Sequence, residues 1–144
     1  MRSCFDLYFQ VRGYEAGSEV LMTGLNIPDM VRIVKEHGLV PIPVVISLET
    51  LKPKVEDILR CISPRTKAIV IAYVHGVTYD CTYIAEALKG TGIEILEDCA
   101  QSFRSIYAFR GSSHAAMSMF SFGTIKHNSA GAGAVTIFRQ SAER

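Results

Sequence analysis

The stretch Ile93-Glu94-Ile95-Leu96-Glu97-Asp98-Cys99-Ala100-Gln101-Ser102 decides the architecture of this chain. It is an apolar, β-prone run that stops in acid, which places Asp98 at the exit of a buried strand. After a short loop, Met119-Phe120-Ser121-Phe122-Gly123-Thr124-Ile125-Lys126 has the same form and ends in a lysine. In open α/β sheets the carboxyl edge of the strands is where ligands are held. The two segments therefore bring a carboxylate and an amine to one functional edge.

Working outward, the remaining segments alternate between strand and helix patterns. Residues 7–11 read as the end of a helix, 13–17 as a turn and 19–23 as a short strand. Pro28 suits the first turn of a helix whose apolar positions are Met30, Val31, Ile33 and Val34, with Gly38 as its stop. Residues 39–47 form a β-branched strand that Pro41 and Pro43 assign to the rim of a sheet. Residues 51–62 carry a helical stripe at Val55, Ile58, Leu59 and Ile62, and residues 67–73 form the clearest strand. A helix over 83–89, ended by Gly90, and strands over 93–98, 116–122 and 134–138 complete the order. Such alternation predicts a three-layer α/β fold with a mostly parallel central sheet built through right-handed crossovers.

Composition sets the outer limits. A chain of 144 residues with 49% hydrophobic and 20% charged residues is long enough for one packed core. Fifteen basic against fourteen acidic residues, with no basic block, give no electrostatic reason for a nucleic-acid or membrane partner. Cys4, Cys61, Cys81 and Cys99 form neither a CxxC pair nor a zinc spacing, and reduced, structural cysteines are the expectation. No apolar run reaches the length of a membrane span, and the start shows no signal-peptide pattern, so a cytoplasmic location is expected.

Each candidate site residue also has an ordinary reading. Aspartate at a strand exit is common as a loop or capping residue, and a lone lysine is usually an exposed one. The pair carries more. A lysine in the mostly apolar setting Phe120-Ser121-Phe122-Gly123-Thr124 has a usable free amine that can form a Schiff base with a carbonyl. A buried carboxylate at the same edge is the partner that the ring nitrogen of pyridoxal phosphate requires. Gln101 then lies one turn from Asp98, and Ser121 and Thr124 are hydroxyls able to donate to a phosphate. His75-Gly76 follows a strand and either lines this pocket or simply makes the turn. The glycines of Ala130-Gly131-Ala132-Gly133-Ala134 precede a strand instead of following one, which argues against a dinucleotide loop. His37, His75, His114 and His127 show no ligand spacing, so no metal site is assigned, and no G-x-S-x-G elbow is present.

These residues resemble a known family, the DegT/DnrJ/StrS sugar aminotransferases of fold type I. Ala16-Gly17-Ser18-Glu19-Val20 is similar to its PGDEV turn, and Ser63-Pro64-Arg65-Thr66-Lys67-Ala68-Ile69 to TPRTKAI. Glu97-Asp98-Cys99-Ala100-Gln101-Ser102 resembles EDAAQ, and residues 120–126 with 131–135 resemble the cofactor-lysine segment and the glycine-rich strand after it. The resemblance implies pyridoxal 5'-phosphate as cofactor, Lys126 as internal-aldimine lysine and proton shuttle, Asp98 as pyridine-nitrogen partner, Gln101 as ring contact and Ser121 as phosphate contact. It implies transfer of an amino group from an amino donor, typically glutamate, to a nucleotide-linked keto sugar, within a homodimer in full-length members, and one antiparallel strand over 134–138.

The same resemblance marks departures. Members are more than twice this length, so residues 1–144 are expected to be a single partial large domain, with the small C-terminal domain absent and poor solubility as an isolated monomer. The family's flat stacking side chain has only Leu25, Asn26 and Ile27 in its place, and His127-Asn128-Ser129 are more polar than usual. A noncatalytic truncated homologue with a protein-interaction role is the alternative function. A dehydratase of this family would carry histidine at position 126, and lysine stands there.

Overall fold

The structure is a computed structural model that describes residues 1–139. Its elements run α1 (Arg2–Arg12), β1 (Glu19–Thr23), α2 (Pro28–Glu36), β2 (Val40–Val44), α3 (Val55–Cys61), β3 (Thr66–Ala72), a 3-10 turn (Val74–Gly76), α4 (Thr82–Ala87), β4 (Glu94–Asp98), β5 (Met117–Ser121) and β6 (Ala134–Phe138). The strands form one six-stranded sheet in the order β2-β1-β3-β4-β5-β6. All neighbours pair in parallel except β5 and β6, which are antiparallel. The three-layer α/β fold and the antiparallel last strand are both as expected from the sequence. So is the place of the proline-bearing strand, which lies at one end of the sheet.

Strand alternation divides the core into two faces. Phe5, Phe9, Met30 and Val34 of α1 and α2 pack on Val20, Val70, Leu96 and Met119. Ile58, Ile84 and Leu88 of the α3 and α4 side pack on Leu21, Ile69, Ile71 and Ile95. Burying a side chain of this size stabilises by roughly 1.5–3 kcal/mol, and both faces of the central strands are covered.

Three expectations are corrected. The helix expected over 51–62 begins only at Val55. Pro53 disfavours helical geometry at Lys52, Leu51 is left-handed with φ 58°, and Pro53 bridges back to Ile46. The strand expected over 39–47 accordingly ends at Val44, with that isolated bridge beyond it. The connection between β4 and β5 is not short: residues 99–116 cross over without a regular helix, packing Phe103, Phe109 and Ala115 on the α3 and α4 face instead. Among the described residues, no helix is long and apolar enough to cross a membrane.

Candidate active site

The exits of β3, β4 and β5 converge on a cavity of about 270 Å³ lined by His75, Gln101, Phe103, Ser121, Lys126 and Asn128, with Ala100, Ile125 and His127. Lys126, Gln101 and Ser121 are thus brought together from two different strand exits. Thr124 is exposed and outside the lining. Leu25 and Ile27, at the place of the family's stacking side chain, are also exposed and outside it.

Asp98 is the last residue of β4, held between Ala72 of β3 and Met119 of β5. Its carbonyl accepts the Tyr73 N–H at 3.0 Å, and the following Cys99 N–H donates to the Met119 carbonyl at 2.8 Å, so the backbone here cannot shift alone. Alternation puts the Asp98 side chain on the α1 and α2 face and that of Glu97 on the other. The Asp98 carboxyl is only 8% exposed, and its sole hydrogen bond among the described residues is to Oδ1, from the Ala100 N–H at 2.9 Å. Oδ2 is left to accept another donor. Burial pushes this carboxyl above the ordinary range, opposed by the Ala100 N–H, the Lys126 ammonium and the amino terminus. Lys126 is half-buried, and among the described residues its amine makes no hydrogen bond or ion pair. A desolvated carboxylate with an unused oxygen, within electrostatic reach of an unpaired amine, fits a ligand that carries an N–H and a carbonyl. Asn26 Nδ2 and Ser102 Oγ, on the β1 and β4 exits, are also buried without a partner among the described residues.

Two features of the site are built by backbone. His75 adopts φ 55° and ψ 19°, a left-handed conformation that costs a non-glycine residue on the order of 1 kcal/mol. Beside it, Gly76 has φ 73°, and a Cβ there would lie 2.6 Å from the Gln101 carbonyl oxygen. The β3 exit is therefore pressed onto the β4 exit, and only glycine permits it. Of the two readings of His75-Gly76, the structure keeps both: the pair makes the turn, and His75 lines the cavity. Phe103, Ile125, His127 and Asn128 were not singled out as lining residues, because the loops that deliver them carry no periodic signal.

Glu97, adjacent in sequence to Asp98, has the opposite environment. It is fully buried and accepts from Tyr73 Oη at 2.6 Å, from Ser118 Oγ, and from the Ser112 N–H at 2.9 Å. Arg139 Nη1 donates to the same Ser118 Oγ at 2.7 Å. A Cβ on Gly111 would lie 2.1 Å from Ser118 Oγ, so that glycine makes room for the network.

Over 95 residues the chain is 35% identical to GDP-perosamine synthase of Escherichia coli O157:H7, an alignment covering 66% of this chain and 26% of that protein. It is 26% identical over 134 residues to 3-amino-5-hydroxybenzoate synthase of Amycolatopsis mediterranei (strain S699), covering 92% of this chain and 34% of the relative. The fold superposes with a TM-score of 0.80 on ntda from Bacillus subtilis, a structure with bound cofactor PMP, at 23% identity over 95% of this chain and 31% of that one. The chain thus spans about a quarter to a third of the length of these relatives. The model of the DegT/DnrJ/EryC1/StrS aminotransferase family matches residues 3–143, and the chain belongs to that family.

Proposed function

We propose that this chain carries the cofactor half-site of a pyridoxal 5'-phosphate-dependent aminotransferase that transfers an amino group to a keto sugar, and that its residues correspond to part of the large domain. The observation that carries the reading is the pairing of Asp98 and Lys126: a buried carboxyl with one oxygen unused, and an unpaired amine close enough to act on it electrostatically. The bound cofactor would supply a conjugated ring able to take up the electron pair left when a proton departs from the substrate carbon.

The roles of the side chains follow from where they stand. Asp98 Oδ2 would accept a ring N–H and, as an anion, would hold that proton in place; the positive charge there would offset the desolvation that raises the Asp98 pKa. Lys126 Nζ is the one amine among the described lining residues; it would capture the carbonyl and then accept and return the proton at the substrate carbon. Gln101 would donate to a ring oxygen and Ser121 Oγ to a phosphate oxygen. His75 and Asn128 complete the polar lining of the cavity. The names of the relatives, GDP-perosamine synthase foremost, support a sugar as acceptor.

The test is an absorbance titration of the purified chain with pyridoxal phosphate, followed by borohydride reduction and peptide mapping, with Lys126→Ala as control. A near-visible band whose label maps to Lys126 and vanishes in the variant is expected. Absence of the band, or label spread over Lys67, Lys89 and other surface lysines, would overturn the reading.

A further inference from the structure

The chain between β5 and β6 is a hairpin whose bonds are mostly internal. The Phe122 N–H donates to the Gly133 carbonyl and the Ala130 N–H to the Phe122 carbonyl, each at 3.0 Å. Lys126 lies at the tip, in a turn closed by its own N–H on the Gly123 carbonyl at 3.0 Å, and Ser129 Oγ accepts the Gly131 N–H at 3.0 Å. None of these bonds fixes how far the tip leans toward β4. One does so from outside: Asn128 Nδ2 donates to the Phe103 carbonyl at 2.7 Å. Among the described residues it is the one hydrogen bond from the tip to the β4 exit. Its acceptor is well anchored, because the Phe103 ring packs edge-on against Phe120 and Phe122, with centroids 5.9 and 4.9 Å apart.

We infer that Asn128 is a positioning residue whose side-chain amide tethers the hairpin tip to the carboxyl edge of β4 and so keeps the Lys126 amine at the cavity, within electrostatic reach of Asp98. Lys126 and Asn128 are two residues apart and line the same cavity, so the tether acts within one turn of the amine it sets. The use of that amine rests on the function proposed above, but its position is tested without the cofactor. An exposed bond of this type adds little to global stability; its effect is local, on a tip that internal bonds leave free to tilt.

The experiment is competitive acetylation of the cofactor-free chain at limiting reagent, with the Lys126 rate read by mass spectrometry against exposed Lys67. It is run on the parent, Asn128→Leu and Asn128→Gln, each with and without Asp98→Asn. In the parent, Asp98→Asn is expected to change the Lys126 rate about threefold, by removing the charge within electrostatic reach of the amine. Asn128→Leu, which keeps the branching at Cγ and removes the donor, should abolish that dependence, and Asn128→Gln should restore it. An equal effect of Asp98→Asn in the Asn128→Leu background, no effect in the parent, or no rescue by glutamine would each overturn the tether. Trapping of pyridoxal phosphate at Lys126 should fall about tenfold in Asn128→Leu, as 1.4 kcal/mol of lost orientation would give. Failure of the parent to trap it would defeat the cofactor reading alone, and the acetylation couplings would still decide the tether.

Discussion

The two edges of the sheet treat their carboxylates in opposite ways. At the amino edge, Glu19 accepts from Ser63 Oγ, from Arg65 at 2.6 Å and from Thr66 Oγ1 at 3.2 Å. Glu94, at the start of β4, accepts from Tyr8 at 2.7 Å, from Tyr14 at 2.6 Å and from Arg12. Burial, with the Glu94 carboxylate alongside, pushes the Tyr8 phenol up to about 12 against the opposing hydrogen bond with Tyr14. At the carboxyl edge, Asp98 has one backbone donor and the Lys126 amine no acceptor among the described residues. A carboxylate whose oxygens are all engaged holds elements together, here α1 to β4 and β1 to the turn before β3. One left short of donors is held ready for something that binds.

The contrast can be broken in four ways. Lys126→Ala should have the largest effect, removing covalent capture of pyridoxal phosphate entirely while leaving the melting curve within about 0.5 kcal/mol of the parent, as expected for a residue without structural partners. A large loss of stability would move Lys126 to the structural side of the comparison. Glu94→Ala should do the reverse. It strands Tyr8, Tyr14 and Arg12 and should cost about 2–4 kcal/mol in denaturant unfolding, with capture at Lys126 retained under folding conditions. Gly76→Ala should cost about 1–3 kcal/mol, from its left-handed backbone and the approach to Gln101, and should weaken capture as well, because the same contact shapes the cavity.

Asp98→Asn sharpens the comparison by its sign. Burial raises the Asp98 pKa in the folded chain, so between the ordinary carboxylate value of 3.8 and that raised value the folded state binds more protons than the unfolded one. Stability of the parent therefore falls as pH rises through this window. Without cofactor, Asp98→Asn should be the more stable chain at neutral pH, by about 1.4 kcal/mol for each pK unit of the rise, and the advantage should fade below pH 3.8. Thermal melts at pH 7 and at low pH check this. An Asp98→Asn chain less stable than the parent at neutral pH would mean that the carboxylate is structural after all.

Much of this was legible in the sequence where a physical period or a fixed φ was at work. The strands over 19–23 and 134–138 match their observed limits, because both are bounded by glycine-containing turns. The first helix was seen only over 7–11, whereas it starts at Arg2; its opening turn, Arg2-Ser3-Cys4, has no apolar stripe of its own. Leu51 and Lys52 suit a helix by propensity, but Pro53 overrules them and the helix begins at Val55. In the site, Asp98 and Lys126 could be found because strand exits can be located. The roles of Gly76 against Gln101, of Gly111 against Ser118 and of Asn128 on Phe103 could not, since each depends on a partner tens of residues away or on loops without a period.

The two outermost strands differ in what their free sides offer. Val40 N–H donates to the Ser18 carbonyl and the Val44 carbonyl accepts from Gly24, so residues 40, 42 and 44 turn their polar backbone inward and Pro41 and Pro43 turn theirs outward. Proline has no N–H to present there. The β2 margin therefore carries acceptors without matching donors and is a poor template for another strand. No described strand lies beyond β6, and β6 contains no proline. The sheet thus has a polarity of growth: further β-structure can be added at the β6 end, and the β2 end is chemically terminated.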